Sequence, residues 1–294
     1  MKKKNILIVG ENSYIGNSLE RWLSNSSHDY HVAKVKTRNN EWNNIFFGIY
    51  DVVIHVAGIA HVSRNPELET LYYKVNRDMA IDVANKAKTE GVRQFIFMSS
   101  IIIYGEDSNI GESKVIDSKS KFLPIDFYGR SKLEADLAIQ KLKSDEFKTV
   151  IVRAPLVYGP NCKGNFPKLL KLARYTPLFV NIYNERSMIY IDNLCEFLKL
   201  TMDTQLEGVF YPQNKEYVST KAIIEVATKL QNKKILFTNI FNGLLKILSS
   251  RISLLNKVFG NKVYDKNLSR ECNLNYCVVD FEKSVEMTLK GGED

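Results

Sequence analysis

The sequence predicts an α/β fold built on a doubly wound parallel sheet. Three observations carry this. Short apolar runs alternate with helix-length amphipathic segments through the first half of the chain, as expected for strands buried on both faces by helices. The first such run, Asn5 to Val9, leads into a glycine-bearing turn, VGENSYIG (Val9 to Gly16). After Tyr158 the alternation becomes irregular, which predicts a smaller, discontinuous C-terminal substrate domain beside the sheet.

The elements follow in order. Asn5 to Val9 reads as a buried strand. Tyr14 to Leu23 places Ile15, Leu19, Trp22 and Leu23 on one helical face, and His31 to Lys36 alternates as a second strand. Further strands are expected at Asp51 to Val56, Gln94 to Met98 and Thr149 to Arg153, with helices at about Val75 to Glu90 and Tyr128 to Lys143. Beyond them come a helix near Asp192 to Met202, a strand near Gly208 to Tyr211 and a helix from Lys221 to Leu230. The first domain is therefore set at 1–160, completed by about 187–211, and the second at 161–186 and 212–294. Two segments stand apart. Gly105 to Phe127 is a polar loop without periodicity, of the kind that covers a site or is disordered. Ile235 to Val263 is apolar at helical spacing with Lys246, Arg251, Lys257 and Lys262 interspersed. It reads as a helix packed in the C-terminal half, with a membrane-surface or partner-docking helix as the alternative.

Composition narrows the function classes. The 294 residues are 45% hydrophobic and 25% charged, ordinary for a globular protein. The apolar stretch after the first lysines, Ile6 to Val9, is too short for a secretory h-region, and no run approaches the roughly twenty uncharged residues of a membrane span. Cys162, Cys195, Cys272 and Cys277 show no C-x-x-C spacing, so no metal site is expected. A reduced, cytoplasmic protein is predicted. The net charge of +8 is scattered along the chain, which favours small anionic ligands over nucleic acid.

The turn after the first strand suits a phosphate. Backbone N–H groups at a helix N-terminus point at the anion, and glycines are needed where the chain turns sharply or approaches the ligand. Gly10 and Gly16 keep the flanking positions of G-x-x-G-x-x-G; the middle glycine is Ser13, whose hydroxyl could itself bond a phosphate. At the end of the second strand, where a carboxylate would grip the ribose of NAD, the chain reads Lys36, Thr37, Arg38. A guanidinium pairs with a 2′-phosphate, so NADP(H) is expected over NAD(H). Reduction of a ketone by such a cofactor needs a proton at the oxygen, which a tyrosine beside an ammonium supplies. Tyr128 and Lys132 share one helical face, and they follow a strand that ends in Ser99 and Ser100. His55 and His61 have no evident partner and read as structural.

With these residues in view the chain resembles the extended short-chain dehydrogenase/reductases, the NAD-dependent epimerase/dehydratase family with its Rossmann-type fold. The matching segments are VGENSYIG, HVAG (His55 to Gly58), Asn76, MSSIIIYG (Met98 to Gly105), YGRSK (Tyr128 to Lys132), VRAPLVYGP (Val152 to Pro160), GNFPKLL (Gly164 to Leu170) and RSMIYIDNL (Arg186 to Leu194). Within the family it is most similar to CapN-type UDP-sugar 4-ketoreductases of capsular polysaccharide synthesis. That resemblance implies NADPH-dependent reduction, at C4, of a UDP-2-acetamido-2,6-dideoxy-4-hexulose to UDP-N-acetylfucosamine or UDP-N-acetylquinovosamine. It implies Ser100, Tyr128 and Lys132 as catalytic residues, the ammonium also lowering the phenol's pKa. Gly10, Asn12, Ser13, Tyr14, Ile15, Gly16, Arg38, Val56, Ala57, Gly58, Asn76, Lys132 and Pro155 would hold the dinucleotide. Asn165 and Phe166 would line the sugar-nucleotide pocket, Arg186 would clamp the pyrophosphate and Arg270 would add a second phosphate contact. A homodimer through the helices bearing Asn76 and Tyr128 is implied as well.

Ile101 and Ile102 stand where sugar 4,6-dehydratases carry an Asp-Glu pair, which argues against dehydration. A UDP-sugar 4-epimerase with tightly bound NAD stays open, because it uses the same serine, tyrosine and lysine. A non-catalytic NADP-binding sensor or scaffold is the alternative of another class.

Overall fold

Ile6, Leu7, Ile8 and Val9 have no exposed surface, and burying each contributes about 1.5–3 kcal/mol. A strand at the centre of a two-sided sheet buries consecutive side chains in this way, and that is where the computed structural model places them, paired with a strand on each side. It describes residues 3–26, 29–60, 65–270 and 273–291; His61 and Cys272 lie outside them.

The first half runs β1 (Lys4–Val9), α1 (Tyr14–Ser26), β2 (Tyr30–Val35), β3 (Val52–His55), α2 (Glu69–Tyr72), a π-helical turn (Tyr73–Asp78), α3 (Met79–Thr89), β4 (Gln94–Ser100), β5 (Val115–Ile116), α4 (Phe127–Gln140) and β6 (Lys148–Ala154). The second half continues with β7 (Leu156–Tyr158), α5 (Asn165–Tyr175), β8 (Leu178–Val180), β9 (Met188–Tyr190), α6 (Ile191–Asp203) and β10 (Gly208–Phe210). It ends with α7 (Thr220–Leu230), β11 (Leu236–Thr238), α8 (Asn242–Ser249), α9 (Ser253–Phe259), β12 (Val263–Tyr264), α10 (Lys266–Arg270) and α11 (Phe281–Lys290).

The central sheet has the order β10-β6-β4-β3-β1-β2 and is parallel throughout. All six expected strands are in it. Strand alternation splits the core in two. Ile6, Ile8, Ile54, Ile96 and Val150 face one cluster, which continues into α1, α6 and the C-terminal half; Leu7, Val9, Val53, Phe97 and Ile151 face the other, covered by α3 and α4. Trp22 of α1 donates to Glu196 of α6 at 2.8 Å, tying those two helices across the first face.

The registers Val9↔His55, His55↔Phe97 and Ser100↔Ala154 bring the ends of β1, β3, β4 and β6 to one edge of the sheet. Gly10, Val56 to Gly58, the Ser100 turn and Pro155 therefore meet there.

Two expectations are corrected. The loop from Gly105 to Phe127 is held: β5 pairs in parallel with β12, and Ser108 N–H donates to the Asn261 carbonyl at 3.0 Å. Its partners lie some 150 residues away in sequence, beyond the reach of any local pattern. The segment 235–263 is not one helix. It divides into β11, α8 and α9, with a break at Ser250 to Ile252, and the outer face of α8 is exposed. Apolar spacing gives the helical period but not the break.

Candidate active site

A cleft of about 560 Å³ opens at the carboxyl edge of the sheet, lined by Gly10, Asn12, Ser13, Arg38, Ala57 and Gly58. A second cavity, about 640 Å³, lies at the opposite edge beside Lys4, Val52, Gln94 and Lys148. Ligands of doubly wound sheets bind outside the carboxyl ends of the strands, so the smaller cleft is the relevant one.

Gly10 has φ +122°, and a Cβ there would lie 2.9 Å from Ala57 N, so both backbone strain and space demand glycine. The Gly10 and Glu11 N–H groups donate to Val35 O at 3.0 and 3.1 Å, fixing the loop on β2. Ser13 Oγ accepts from Gly16 N–H at 2.9 Å. The serine that replaces the middle glycine thus caps α1 with its oxygen, which leaves its O–H as a donor. The Tyr14 side chain turns away from the cleft: a Cβ on Gly159 would lie 2.7 Å from its hydroxyl, and burial pushes that phenol above its ordinary value. Ile15 packs against the core. Both residues thus present only their backbone at the N-terminus of the helix.

Arg38 is exposed at the start of a 3₁₀ turn (Arg38–Asn44), where it makes no ion pair among the described residues. The Lys36 ammonium is 3.7 Å from the Glu11 carboxylate. Asn76 lies in the π-turn, fully buried. Its side-chain oxygen accepts from Ile59 N–H at 2.8 Å and its amide donates to Ile59 O at 3.0 Å, so it holds the segment that follows Gly58. π-turns of this kind concentrate at functional sites.

At the end of β4, Ser100 Oγ accepts from Ile102 N–H at 3.3 Å. The Asp126 carboxylate caps α4 by accepting from Gly129 N–H at 2.8 Å, and the helix so started brings the Tyr128 phenol to the Ser100 hydroxyl, with which it shares a hydrogen bond. Burial pushes the phenol up to about 12, the Ser100 hydrogen bond opposing the rise. Tyr128 is therefore a neutral proton donor at ordinary pH. The expected lowering of this phenol by Lys132 is not seen. Lys132 Nζ donates to Met98 O at 2.9 Å and lies 4.8 Å above the Phe97 ring, and burial brings the ammonium down to about 8. A Cβ on Gly58 would sit 3.2 Å from Nζ and 3.1 Å from the Asn76 side-chain oxygen, so the lysine stands beside the glycine floor of the cleft. His55 is buried beneath it with both ring nitrogens unpartnered, and its pKa falls to about 3 by burial and the nearby Lys132. It stays neutral.

A buried network supports this corner, and the motifs do not reveal it. Asp136, one turn after Lys132, takes both arms of Arg153 at 2.9 and 3.0 Å, Ser99 Oγ–H at 2.6 Å and the Gln140 amide at 2.6 Å. The other Arg153 nitrogen donates to Tyr104 and Tyr211. Bidentate pairing and full hydrogen bonding make such a pair tolerable in the interior. The one signal in the sequence is an arginine in mid-strand at a position that must be buried.

The two expected phosphate contacts, Arg186 and Arg270, are not brought together. Arg186 Nη2 lies 3.1 Å from Asp107 Oδ2, and Lys262 Nζ lies 3.1 Å from Oδ1. Arg186 also donates to Lys257 O, and Arg186 and Lys262 are neighbours across an isolated parallel bridge. Lys114 stands close, donating to Tyr104 O and Glu106 O at 2.8 and 2.7 Å. Burial alone would raise the Asp107 carboxyl; Lys262 and Arg186 hold it below the usual value. Three cations thus surround one carboxylate. Arg270 is exposed at the end of α10 and takes no part in this cluster among the described residues. Phe166 lies in the core, stacked on Tyr158 at 4.4 Å, while Asn165 is half-buried at the start of α5.

The glycine cradle, the Ser100/Tyr128 pair and the lysine below the cleft define a nicotinamide-dinucleotide enzyme of Rossmann type. The chain belongs to the NAD dependent epimerase/dehydratase family, whose model matches residues 6–211; it is an NAD(P)-dependent nucleotide-sugar enzyme of the extended short-chain dehydrogenase/reductase class. It is 34% identical over 245 residues to a UDP-glucose 4-epimerase of Vibrio cholerae, covering 75% of this chain and 74% of that one. It is 24% identical over 281 residues to the N-acetyl-α-D-glucosaminyl-diphospho-ditrans,octacis-undecaprenol 4-epimerase of Escherichia coli O157:H7, covering 88% and 82%. Among solved structures, RMD from Pseudomonas aeruginosa complexed with NADPH superposes with a TM-score of 0.77 at 14% identity, over 99% of this chain and all of that one.

Proposed function

We propose that this protein interconverts the alcohol and ketone at C4 of a diphosphate-linked sugar, first of all a UDP-sugar, with 4-epimerisation as the net reaction. The observation that carries the chemistry is the Tyr128 phenol set against the Ser100 hydroxyl at the carboxyl edge of the sheet. Likeness to the 4-epimerases of V. cholerae and E. coli O157:H7 supports the choice of C4 and of epimerisation.

The cleft fits a dinucleotide: glycine at Gly10 and Gly58 where a side chain would meet backbone or Lys132, the helix N-terminus at Tyr14 and Ile15, and cationic Lys36 and Arg38 at its rim. When bound, the nicotinamide supplies the acceptor and donor of hydride for C4. Tyr128 moves the proton: its phenol donates to O4 as the ketone becomes an alcohol, and the phenolate takes that proton back in the reverse direction. Ser100 donates a hydrogen bond to O4 and so stabilises charge on that oxygen. Lys132, whose ammonium stands beside Gly58 and bonds the Met98 carbonyl, holds the ribose side of the cleft. Arg186 and Lys262 grip the diphosphate, their present partner Asp107 sharing them.

A second reading, NADPH-dependent 4-ketoreduction of a UDP-2-acetamido-2,6-dideoxy-4-hexulose, is favoured by Arg38 at the cleft rim and by a phenol that rests protonated. The carrier also has two forms. A polyprenyl-linked sugar presents the same diphosphate to Arg186 and Lys262, and the E. coli O157:H7 relative bears the name of such a substrate.

The test uses freshly purified protein with UDP-glucose or UDP-N-acetylglucosamine, and separately with NADPH and a UDP-4-keto sugar. Formation of the C4 epimer with no net change in the nicotinamide band supports epimerisation. Stoichiometric NADPH consumption transfers the assignment to ketoreduction, and inertness in both assays overturns C4 chemistry.

A further inference from the structure

The segment that sequence periodicity singles out and the catalytic reading does not use is the β11–α8–α9 region. Its side chains are unusually exposed for their type: Ile240 is 84% accessible, Leu236 and Ile247 72% each, and Leu244 57%. They are contiguous in the fold. Leu236 pairs with the exposed Leu178 across the β11–β8 ladder, Asn242 at the start of α8 donates to Asn181 O just past β8 at 2.8 Å, and Lys233 donates to Arg174 O at the end of α5. One apolar ribbon thus runs from the tip of α5 over the small β11–β8 sheet and along α8. Large exposed apolar patches on monomers mark interaction sites.

Charge identifies the occupant. From Asn232 to Tyr264 the chain contains Lys233, Lys234, Lys246, Arg251, Lys257 and Lys262 and not one aspartate or glutamate; residues 147–184, which include α5 and β8, are free of carboxylates as well. Of these, Lys171, Arg174, Lys233, Lys234, Lys246 and Arg251 are exposed around the ribbon. Asp107 and Glu112, near α9, lie on the loop side, where Arg186, Lys262 and Asn109 hold them. A second copy of this chain is a poor occupant, because a two-fold contact would set the same cations against themselves. An apolar face edged by lysine and arginine is the pattern that lies in the interface of an anionic bilayer.

We infer that the α8 ribbon is a docking face for a membrane surface rich in anionic phospholipid. No helix among the described residues is long and apolar enough to cross a membrane; the contact is peripheral. Its position relative to the site follows from two contacts. Arg186 donates to Lys257 O of α9, and Asn256 of α9 donates to the Asn109 side-chain oxygen of the loop after Ser100 at 3.1 Å. Docking therefore sets the Arg186–Lys262 clamp beside the headgroup layer, within reach of a diphosphate carried on a lipid. That last consequence rests on the proposed function; the docking itself does not.

The experiment is co-sedimentation of the full chain with vesicles of phosphatidylglycerol and phosphatidylcholine in equal parts, against vesicles of phosphatidylcholine alone. On the order of tenfold tighter binding to the anionic vesicles is expected, weakening as salt is raised. The double variant Leu244→Glu/Ile247→Glu, at two exposed positions, loses vesicle binding while keeping its turnover of a soluble UDP-sugar; Lys234→Glu/Arg251→Glu loses the preference for anionic lipid. Failure to bind either vesicle overturns the inference, and so does undiminished binding by both double variants. A dimer in sedimentation velocity that the Leu244→Glu/Ile247→Glu variant dissociates overturns it too, assigning the face to a second copy. Vesicle binding and the oligomeric state are read without turnover, so their outcomes stand whatever the C4 assays show.

Discussion

Lys132 Nζ donates to the Met98 carbonyl oxygen at 2.9 Å, inside the protein and one helical turn past Tyr128. The helix period puts phenol and ammonium on one face, yet the ammonium bonds the strand beneath and leaves the phenol to Ser100. Tyrosine and lysine are thus prepared separately: the first as a neutral acid, the second as a buried cation beside Gly58 at the floor of the cleft.

That burial has a cost in stability. The fall of the Lys132 ammonium from its ordinary 10.5 to about 8 corresponds to on the order of 3 kcal/mol. The folded state binds the proton less tightly than the unfolded state, so the penalty is full below pH 8 and disappears as pH rises from about 8 to 10.5. Lys132→Met should therefore abolish turnover and raise the thermal midpoint at pH 7, with the gap narrowing toward pH 10.5. A midpoint at pH 7 below that of the parent protein would contradict this account.

Tyr128→Phe removes the proton donor while leaving the cleft lining intact. Turnover should fall by a factor of about 10² to 10⁴, and NADPH affinity, read by quenching of protein fluorescence, should stay within about twofold. Unchanged turnover would remove Tyr128 from the mechanism.

Arg38 projects at the rim of the nucleotide cleft without an ion-pair partner among the described residues. A charge-assisted contact to a 2′-phosphate is worth about 1.5–3 kcal/mol, so Arg38→Ala should weaken NADPH by roughly ten- to a hundredfold and NADH by far less. Equal losses for the two dinucleotides would show that the guanidinium does not read the phosphate.

Asp107 holds Arg186 and Lys262 together. Its carboxyl is lower in the folded protein than in the unfolded chain, so the stability it contributes is present above the ordinary carboxylate range and is lost as pH falls through the folded value. Asp107→Asn leaves two largely buried cations without their counter-ion, a loss of about 3–5 kcal/mol by analogy with other broken buried pairs. The variant should melt earlier, and UDP, whose diphosphate restores the missing charge, should raise its melting temperature more than it raises that of the parent. Equal shifts on adding UDP would separate Asp107 from the clamp.

Several parts of the site are legible in the sequence alone. Gly10 and Gly16 mark the turn because only glycine fits its backbone and clearance, and Tyr128, Lys132 and Ser100 are marked by position, a helix start just after a strand end. Local pattern fails where a residue type has two uses. Phe166 reads as pocket or core, and packing against Tyr158 makes it core. Ser13 reads as phosphate ligand or helix cap; its oxygen caps α1 through Gly16 N–H, and its O–H is left as a donor.

By itself the amino-acid order determined the parallel sheet, the glycine-bearing turn into α1, and the placing of Ser100 at a strand end and of Tyr128 and Lys132 on one helix face, because these depend on periods of two and 3.6 residues and on short-range spacing. Only the tertiary structure decided which charges meet: Asp136 with Arg153, Asp107 with Arg186 and Lys262, and the cationic rim around the α8 ribbon. Coulombic pairing depends on distance in space and on the water excluded around it, and neither quantity is written in the spacing of residues along a chain.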